Sequence, residues 1–118
     1  MSPDHYQDVT GAISKAVLEI SRDIPEVMKG FRQMSGAACK DGVLDEKTKE
    51  LIAMSIAITA RCEGCLGFHA KALVRLGVSR AEFMDMVGVA VYMGGGPSLM
   101  TAAEALMAFD EFTAAQSA

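Results

Sequence analysis

Apolar residues recur at three- and four-residue intervals along most of this chain, and no run alternates with period two for long. That periodicity restricts the fold more than any other feature, and it predicts an all-α protein. Glycine and proline fall mainly where the apolar pattern stops, so they mark the ends of helices. A first helix is expected from Ser2-Pro3, with proline at the first helical position, to about Ser21, carrying Val9, Ile13, Ala16, Val17 and Ile20 on one face. A second should start near Pro25 and stop before Lys40-Asp41-Gly42, with Val27, Phe31, Met34 and Ala38 as its apolar stripe. Asp45 is placed to cap a third, whose segment Leu51 to Ala60 is apolar nearly all round and predicts the buried centre. The fourth opens close to Cys62 and ends at Leu76, with Gly77 as a left-handed stop. Ser79 and Glu82 form a capping box for a fifth that turns Phe83, Met86, Val87, Ala90 and Val91 inward as far as Gly94-Gly95-Gly96. Pro97 and Ser98 begin the sixth, which ends around Phe112 before a frayed tail. The expectation is one helical bundle of about six helices over residues 1–118, with the Gly94–Gly96 stretch as a tight inter-helix loop.

A chain of 118 residues is long enough to bury a core without a structural metal. Its hydrophobic fraction of 51% and mean hydropathy of +0.25 are high for a small monomer, so part of that apolar surface should be hidden in a homo-oligomer. The formal charge is −4 and the basic residues are scattered, which argues against a nucleic-acid partner. The first residues show no basic start followed by an apolar block, and the longest apolar run is half the length a bilayer needs, so no membrane partner and a cytoplasmic location are expected. Three cysteines without an export signal imply a reducing compartment. There a close cysteine pair is more often catalytic or metal-binding than structural.

Such a pair stands in Cys62-Glu63-Gly64-Cys65-Leu66-Gly67-Phe68-His69. Spacings of three and four put Cys62, Cys65 and His69 along one helix face, towards the interior where the helix begins, with Glu63, Gly67, Lys71 and Arg75 opposite. Free amides and the positive end of the helix dipole favour a thiolate at that position. A free thiol is only about 3% ionised at neutral pH, and lowering its pKa by about two units gains roughly threefold in rate once lost nucleophilicity is counted. A positioned acid or base contributes roughly 10² to 10⁴, so His69 matters more as a proton mover than as a charge. Three readings of the cluster stand on the residues alone: two core cysteines with a satisfied histidine, a zinc site, or a redox dithiol. A structural zinc site lacks a second Cys-x-x-Cys or a His-x-x-x-His, and Leu66 after Cys65 excludes c-type haem attachment.

Residues 44–100, which include Glu50 twelve positions before Cys62, the Cys62/Cys65 pair and His69 four positions after it, resemble the carboxymuconolactone decarboxylase family in its alkylhydroperoxidase D-like branch. The true decarboxylases of that family lack the cysteine pair, so the family name is not read as the activity. The resemblance implies an all-α, cofactor-independent, thiol-dependent peroxidase or disulfide oxidoreductase. By position, Cys65 would attack a hydroperoxide and Cys62 would resolve the sulfenic acid to a disulfide. His69 would shuttle the proton at Cys65, with Glu50 behind Cys62 in the same relay. An external dithiol reductant, a lipoyl or thioredoxin-like protein, would complete the cycle, and a homohexamer built as a trimer of dimers is implied ahead of a trimer. Alkylhydroperoxidase D carries a histidine where this chain has Gly64. No resident cofactor or metal is implied.

The residues themselves leave Glu50 between two settings. Met54, Ala57 and Ile58 follow it on its own face and could hold it in an apolar site, whereas Lys47 and Lys49 suit a solvated first turn. Cys39 reads as a small, half-buried residue and His5 as part of a frayed first turn. Met84, Met86, Met93, Met100 and Met107 suit core or interface packing, with an apolar substrate pocket as the alternative. The Met93–Leu99 stretch, rich in glycine, lacks the lysine of a phosphate loop and the strand of a dinucleotide fold.

Overall fold

A computed structural model describes residues 2–117 and contains five helices among them. These are α1 (His5–Asp23), α2 (Pro25–Cys39), α3 (Glu46–Ala60), α4 (Glu63–Arg75) and α5 (Arg80–Ser117). Their starts follow local chemistry. Asp45 caps α3 by accepting from the Thr48 amide at 2.8 Å. Ser79 and Glu82 close their capping box reciprocally, the Glu82 amide on Ser79 Oγ at 3.1 Å and the Ser79 amide on Glu82 Oε1 at 2.9 Å. Lys47 of α3 also reaches Glu82 Oε2 at 2.6 Å, and with the Ser79 bonds it holds the Glu82 carboxyl below its usual range. Pro25 starts α2, and Gly77, at φ 77°, follows the end of α4.

Five helices stand where six were expected, because the fifth and sixth form one element. Within α5 the expected Gly94–Gly96 loop shrinks to a single non-helical residue, Gly95, at φ 71° and ψ −155°. That region of backbone space is open essentially to glycine alone. The element folds back on itself there: Phe83 and Phe109 stack with ring centroids 4.6 Å apart, and Arg80 Nη1 meets Asp110 Oδ1 at 2.5 Å. In a straight helix those phenylalanines would lie about 39 Å apart. The tail expected to fray continues as helix through Ser117.

The core lies between α3, α4 and the two arms of α5, around Met54, Ile58, Leu66, Leu73, Phe83 and the alanines Ala102, Ala105 and Ala108. Helix α3 is only partly the buried centre that its composition predicted. It turns Glu50, Met54, Ala57 and Ile58 inward, while Ile52 and Ile56 face outward.

Helix α2 buries no residue in the single chain. Val27, Phe31 and Met34 of its apolar stripe are all more than half exposed, as is Leu18 on the second half of α1. Helix α2 has α1 and α3 as its neighbours and stands off the core. The Cα radius of gyration of 14.6 Å accordingly exceeds the about 13.5 Å expected for a compact chain of this length.

Candidate active site

The corner between α3 and α4 presents the Cys62/Cys65 pair. Arg61 closes α3 in the left-handed region at φ 56° and ψ 50°, and its amide and that of Cys62 bond back to Ile58 O and Ala57 O at 3.3 and 3.2 Å. A non-glycine residue there costs roughly 1–2 kcal/mol, held by the surrounding bonds. The turn leaves Cys62 as the N-cap of α4, extended at φ −103° and ψ 99°. Its sulfur takes the role an oxygen usually plays in a cap: the Cys65 amide donates to Cys62 Sγ at 3.3 Å. Cys62 and Cys65 form a disulfide with Cα atoms 5.2 Å apart, and both residues are half-buried.

One turn further along α4, His69 faces Glu50 of α3. Their Nδ1 and Oε2 atoms are 2.7 Å apart, with the histidine side chain 30% exposed and the carboxylate 10%. Glu50 is therefore in the buried setting, and its partner is the imidazole. Engagement of Nδ1 orients the ring and leaves Nε2 as the nitrogen free to exchange a proton with another group. Cys62, Cys65, His69 and Glu50, proposed from the sequence as one constellation, thus fall on two adjoining helices, with a disulfide and a carboxylate–imidazole pair as the contacts within it.

Helix α1 covers the opposite flank of α4, a contact the sequence did not reveal. Gly67, assigned to the outer face, and Gly64 one turn before it carry α1 on them. A β-carbon at Gly64 would lie 2.6 Å from Ile13 Cδ1, and one at Gly67 would lie 2.6 Å from Thr10 Cγ2. The two glycines, three residues apart on one helix, were the available signal for such a close approach. His5, expected to be frayed, begins α1 and places Nε2 3.1 Å from Oε2 of Glu63, between the two cysteines. Glu111 of α5 secures the same end of α1 by accepting from the Tyr6 and Gln7 amides at 3.0 and 2.7 Å. Tyr6 is buried, and its phenol is pushed up to about 12 by that burial first and then by the negative charges of Glu104, Glu63 and Glu111. Cys39 lies at the end of α2 as a free, half-buried thiol. No group of three or more His, Cys, Asp or Glu side chains is arranged to hold a metal ion among the described residues.

The family model of the carboxymuconolactone decarboxylase family matches residues 25–108, most of α2 through α5. The chain belongs to the carboxymuconolactone decarboxylase family. An uncharacterized protein of Cupriavidus necator is 36% identical over 90 residues, 76% of this chain and 80% of the relative. A protein of the cox locus of Paracoccus denitrificans is 33% identical over 102 residues, covering 86% of this chain and 92% of the relative. Among solved structures, an apo carboxymuconolactone decarboxylase family protein of Legionella pneumophila superposes with a TM-score of 0.92 at 51% identity, over 93% of this chain and 98% of that one. A family protein of Thermotoga maritima has the same fold, with a TM-score of 0.77 at 24% identity over 88% and 92% of the two chains. Membership accounts for the all-α fold. Among the described residues no helix is long and apolar enough to cross a membrane.

Proposed function

We propose that this protein is a thiol-dependent peroxidase that reduces hydroperoxides through Cys62 and Cys65 and is regenerated by an external dithiol. The observation that carries the reading is the disulfide at the start of α4, one helical turn from the Glu50–His69 pair. In the reduced protein the Cys65 thiolate attacks the terminal oxygen of a hydroperoxide. An S–O bond forms, the O–O bond breaks, and the leaving alkoxide takes a proton from His69, giving an alcohol and a sulfenic acid on Cys65. Cys62 then attacks Cys65 Sγ. The S–S bond forms, the S–O bond breaks and water leaves, so that two thiols have supplied the two electrons the peroxide consumes. Glu50 acts on His69 rather than on a sulfur: its carboxylate orients the ring and stabilises the imidazolium between transfers.

The capping bond suggests how the disulfide is reopened. When the external dithiol attacks Cys65 Sγ, the sulfur that leaves is Cys62, and the Cys65 amide with the helix dipole stabilises its thiolate. A thiolate stabilised in this way is the better leaving group, so attack on Cys65 is favoured over attack on Cys62. A second thiol of the reductant then displaces Cys65, returning the dithiol and leaving the reductant as its own disulfide. A part in the antioxidative response has been suggested for the Thermotoga maritima relative, in keeping with this reading.

The exposed stripe of α2, with the second half of α1, is the surface through which subunits associate. The family resemblance favours a hexamer built as a trimer of dimers over a trimer, and either assembly could take Val27, Phe31 and Met34 out of water. The deciding experiment for the activity is peroxide consumption by the reduced protein with a series of dithiol reductants, a dihydrolipoyl protein and a thioredoxin-like protein among them. Stoichiometric loss of peroxide with formation of the Cys62–Cys65 disulfide is expected. Thiols that stay reduced under excess peroxide, or one zinc retained per chain after purification in reducing, metal-poor buffer, would refute it.

A further inference from the structure

A cavity of about 710 Å³ opens between α1, α4 and the last turns of α5. Its size falls within the about 300–1,000 Å³ of cavities that hold small organic molecules. Thr10, Val74 and Phe112, each less than a tenth exposed, form its floor, and the Thr10 hydroxyl is committed to the Tyr6 and Gln7 carbonyl oxygens at 2.9 and 3.2 Å. Phe68, Lys71 and Arg75 stand along α4 at its edge. The floor is therefore mostly apolar and the α4 edge cationic, with Gln7, Ser14 and Gln116 as the neutral polar side chains of the remaining wall. No aspartate or glutamate lines the cavity among the described residues, in a chain whose formal charge is −4. Arg75 Nη2 already meets Glu46 Oε2 at 3.2 Å, while Lys71 makes no ion pair among the described residues.

We propose that this cavity binds an aliphatic monocarboxylate, its chain laid over Phe112, Val74 and Phe68 and its carboxylate held by Lys71 with Arg75 beside it. Charge complementarity selects the anion. The apolar floor selects the chain, and each methylene taken from water strengthens binding about fourfold. Phe68 and Lys71 share α4 with Cys65 and His69 but point away from them, Lys71 from the opposite face, so the proposal does not depend on the redox reading.

The test is calorimetric titration of the full chain with dodecanoate below its micellar concentration, with dodecylamine as the charge-reversed probe. Dodecanoate is expected to bind one per chain and dodecylamine far more weakly, with affinity for the acid falling as salt is raised. Lys71→Glu should weaken dodecanoate by at least about fivefold. Gly11→Phe should abolish binding, since position 11 lines the cavity and a β-carbon there meets no other atom. Circular dichroism checks both variants, and if Gly11→Phe does not fold, the exposed Lys71→Glu decides. Equal binding of the amine, no binding of the acid, or binding unaffected by Lys71→Glu would overturn the proposal. So would binding lost in Phe31→Ser but kept in Gly11→Phe, which assigns the chain to the exposed α2 face. Co-sedimentation with phosphatidylglycerol vesicles in the absence of free-acid binding would likewise overturn it, in favour of a lipid surface.

Discussion

Thr10 of α1 rests its methyl group against Gly67 of α4 so closely that a β-carbon at position 67 would come within 2.6 Å of it. At Gly64, three residues before Gly67 on α4, Ile13 stands at the same distance, but with the far end of a longer side chain. The two contacts should respond differently to an added methyl group. Thr10 has no longer side chain to swing aside, and its hydroxyl is tied to backbone carbonyls. Gly67→Ala therefore pushes α1 away, at about 1–3 kcal/mol, against about 1 kcal/mol regained in helix propensity. A net loss of about 1 kcal/mol, roughly 4 °C in Tm, is expected. Gly64→Ala should leave Tm unchanged or raise it, because Ile13 Cδ1 can rotate away. Thr10→Ala in the Gly67→Ala background should recover part of the loss. Thermal unfolding of the three variants beside the wild type measures this, and equal effects at both glycines would show that α1 is not held at position 67.

The cysteines should divide their labour. Cys65→Ser is expected to abolish peroxide reduction, while Cys62→Ser still consumes one equivalent of peroxide and stops at a sulfenic acid or a mixed disulfide. Mass spectrometry after a sulfenate-trapping reagent reads the outcome. A trapped sulfenate on Cys62 in the Cys65→Ser protein reverses the assignment.

Glu50 and His69 should behave as a unit because they are in direct contact. His69→Ala is expected to slow peroxide-dependent oxidation by about 10² or more, and Glu50→Gln by about tenfold or more, with the helical circular dichroism retained. The combined loss in the double variant should be smaller than the product of the two. Stopped-flow rates for the three variants decide the matter, and full additivity would separate the roles of the two residues.

Alkaline stability should report on Tyr6. Its phenol is raised from 10.0 to about 12, by burial first and then by the surrounding carboxylates. The folded protein thus holds the proton more tightly than the unfolded chain. Between pH 10 and 12 the unfolded state has lost that proton and the native state has kept it, so stability falls with rising pH across this window. Below pH 10 the contribution is fully present. Urea midpoints should show the fall, and Tyr6→Phe should remove the part of it due to this group. At pH 7 the same substitution is expected to preserve or raise stability, because the buried hydroxyl has no hydrogen-bond partner. A large loss of stability in Tyr6→Phe would show that the hydroxyl is bonded in solution.

Association should depend on the stripe of α2. Light scattering at micromolar concentration is expected to give six times the monomer mass of 12.5 kDa, and Val27→Asp with Phe31→Asp to give smaller species. A wild-type monomer with full activity would remove the need for that face to be covered.

The sequence by itself determined the helices that have local causes. Asp45, the Ser79/Glu82 box, Pro25 and Gly77 act on backbone groups within a few residues of themselves, so the ends they mark are where they were expected. The alignment of Cys62, Cys65 and His69 was legible for the same reason, since helical spacing is a local rule. Tertiary structure alone decided the environments. Helix periodicity separates an apolar face from a polar one, but it cannot say whether the apolar face meets the core, water or another subunit, and the stripe of Val27, Phe31 and Met34 proves exposed in the single chain. Glu50 had a solvated and a buried setting open to it until α4 brought His69 within 2.7 Å. The reversal of α5 depends on one residue, Gly95, whose backbone angles a run of three glycines permits without specifying. Only packing chooses among such alternatives, because each is locally permitted and the difference in free energy comes from residues distant in the chain.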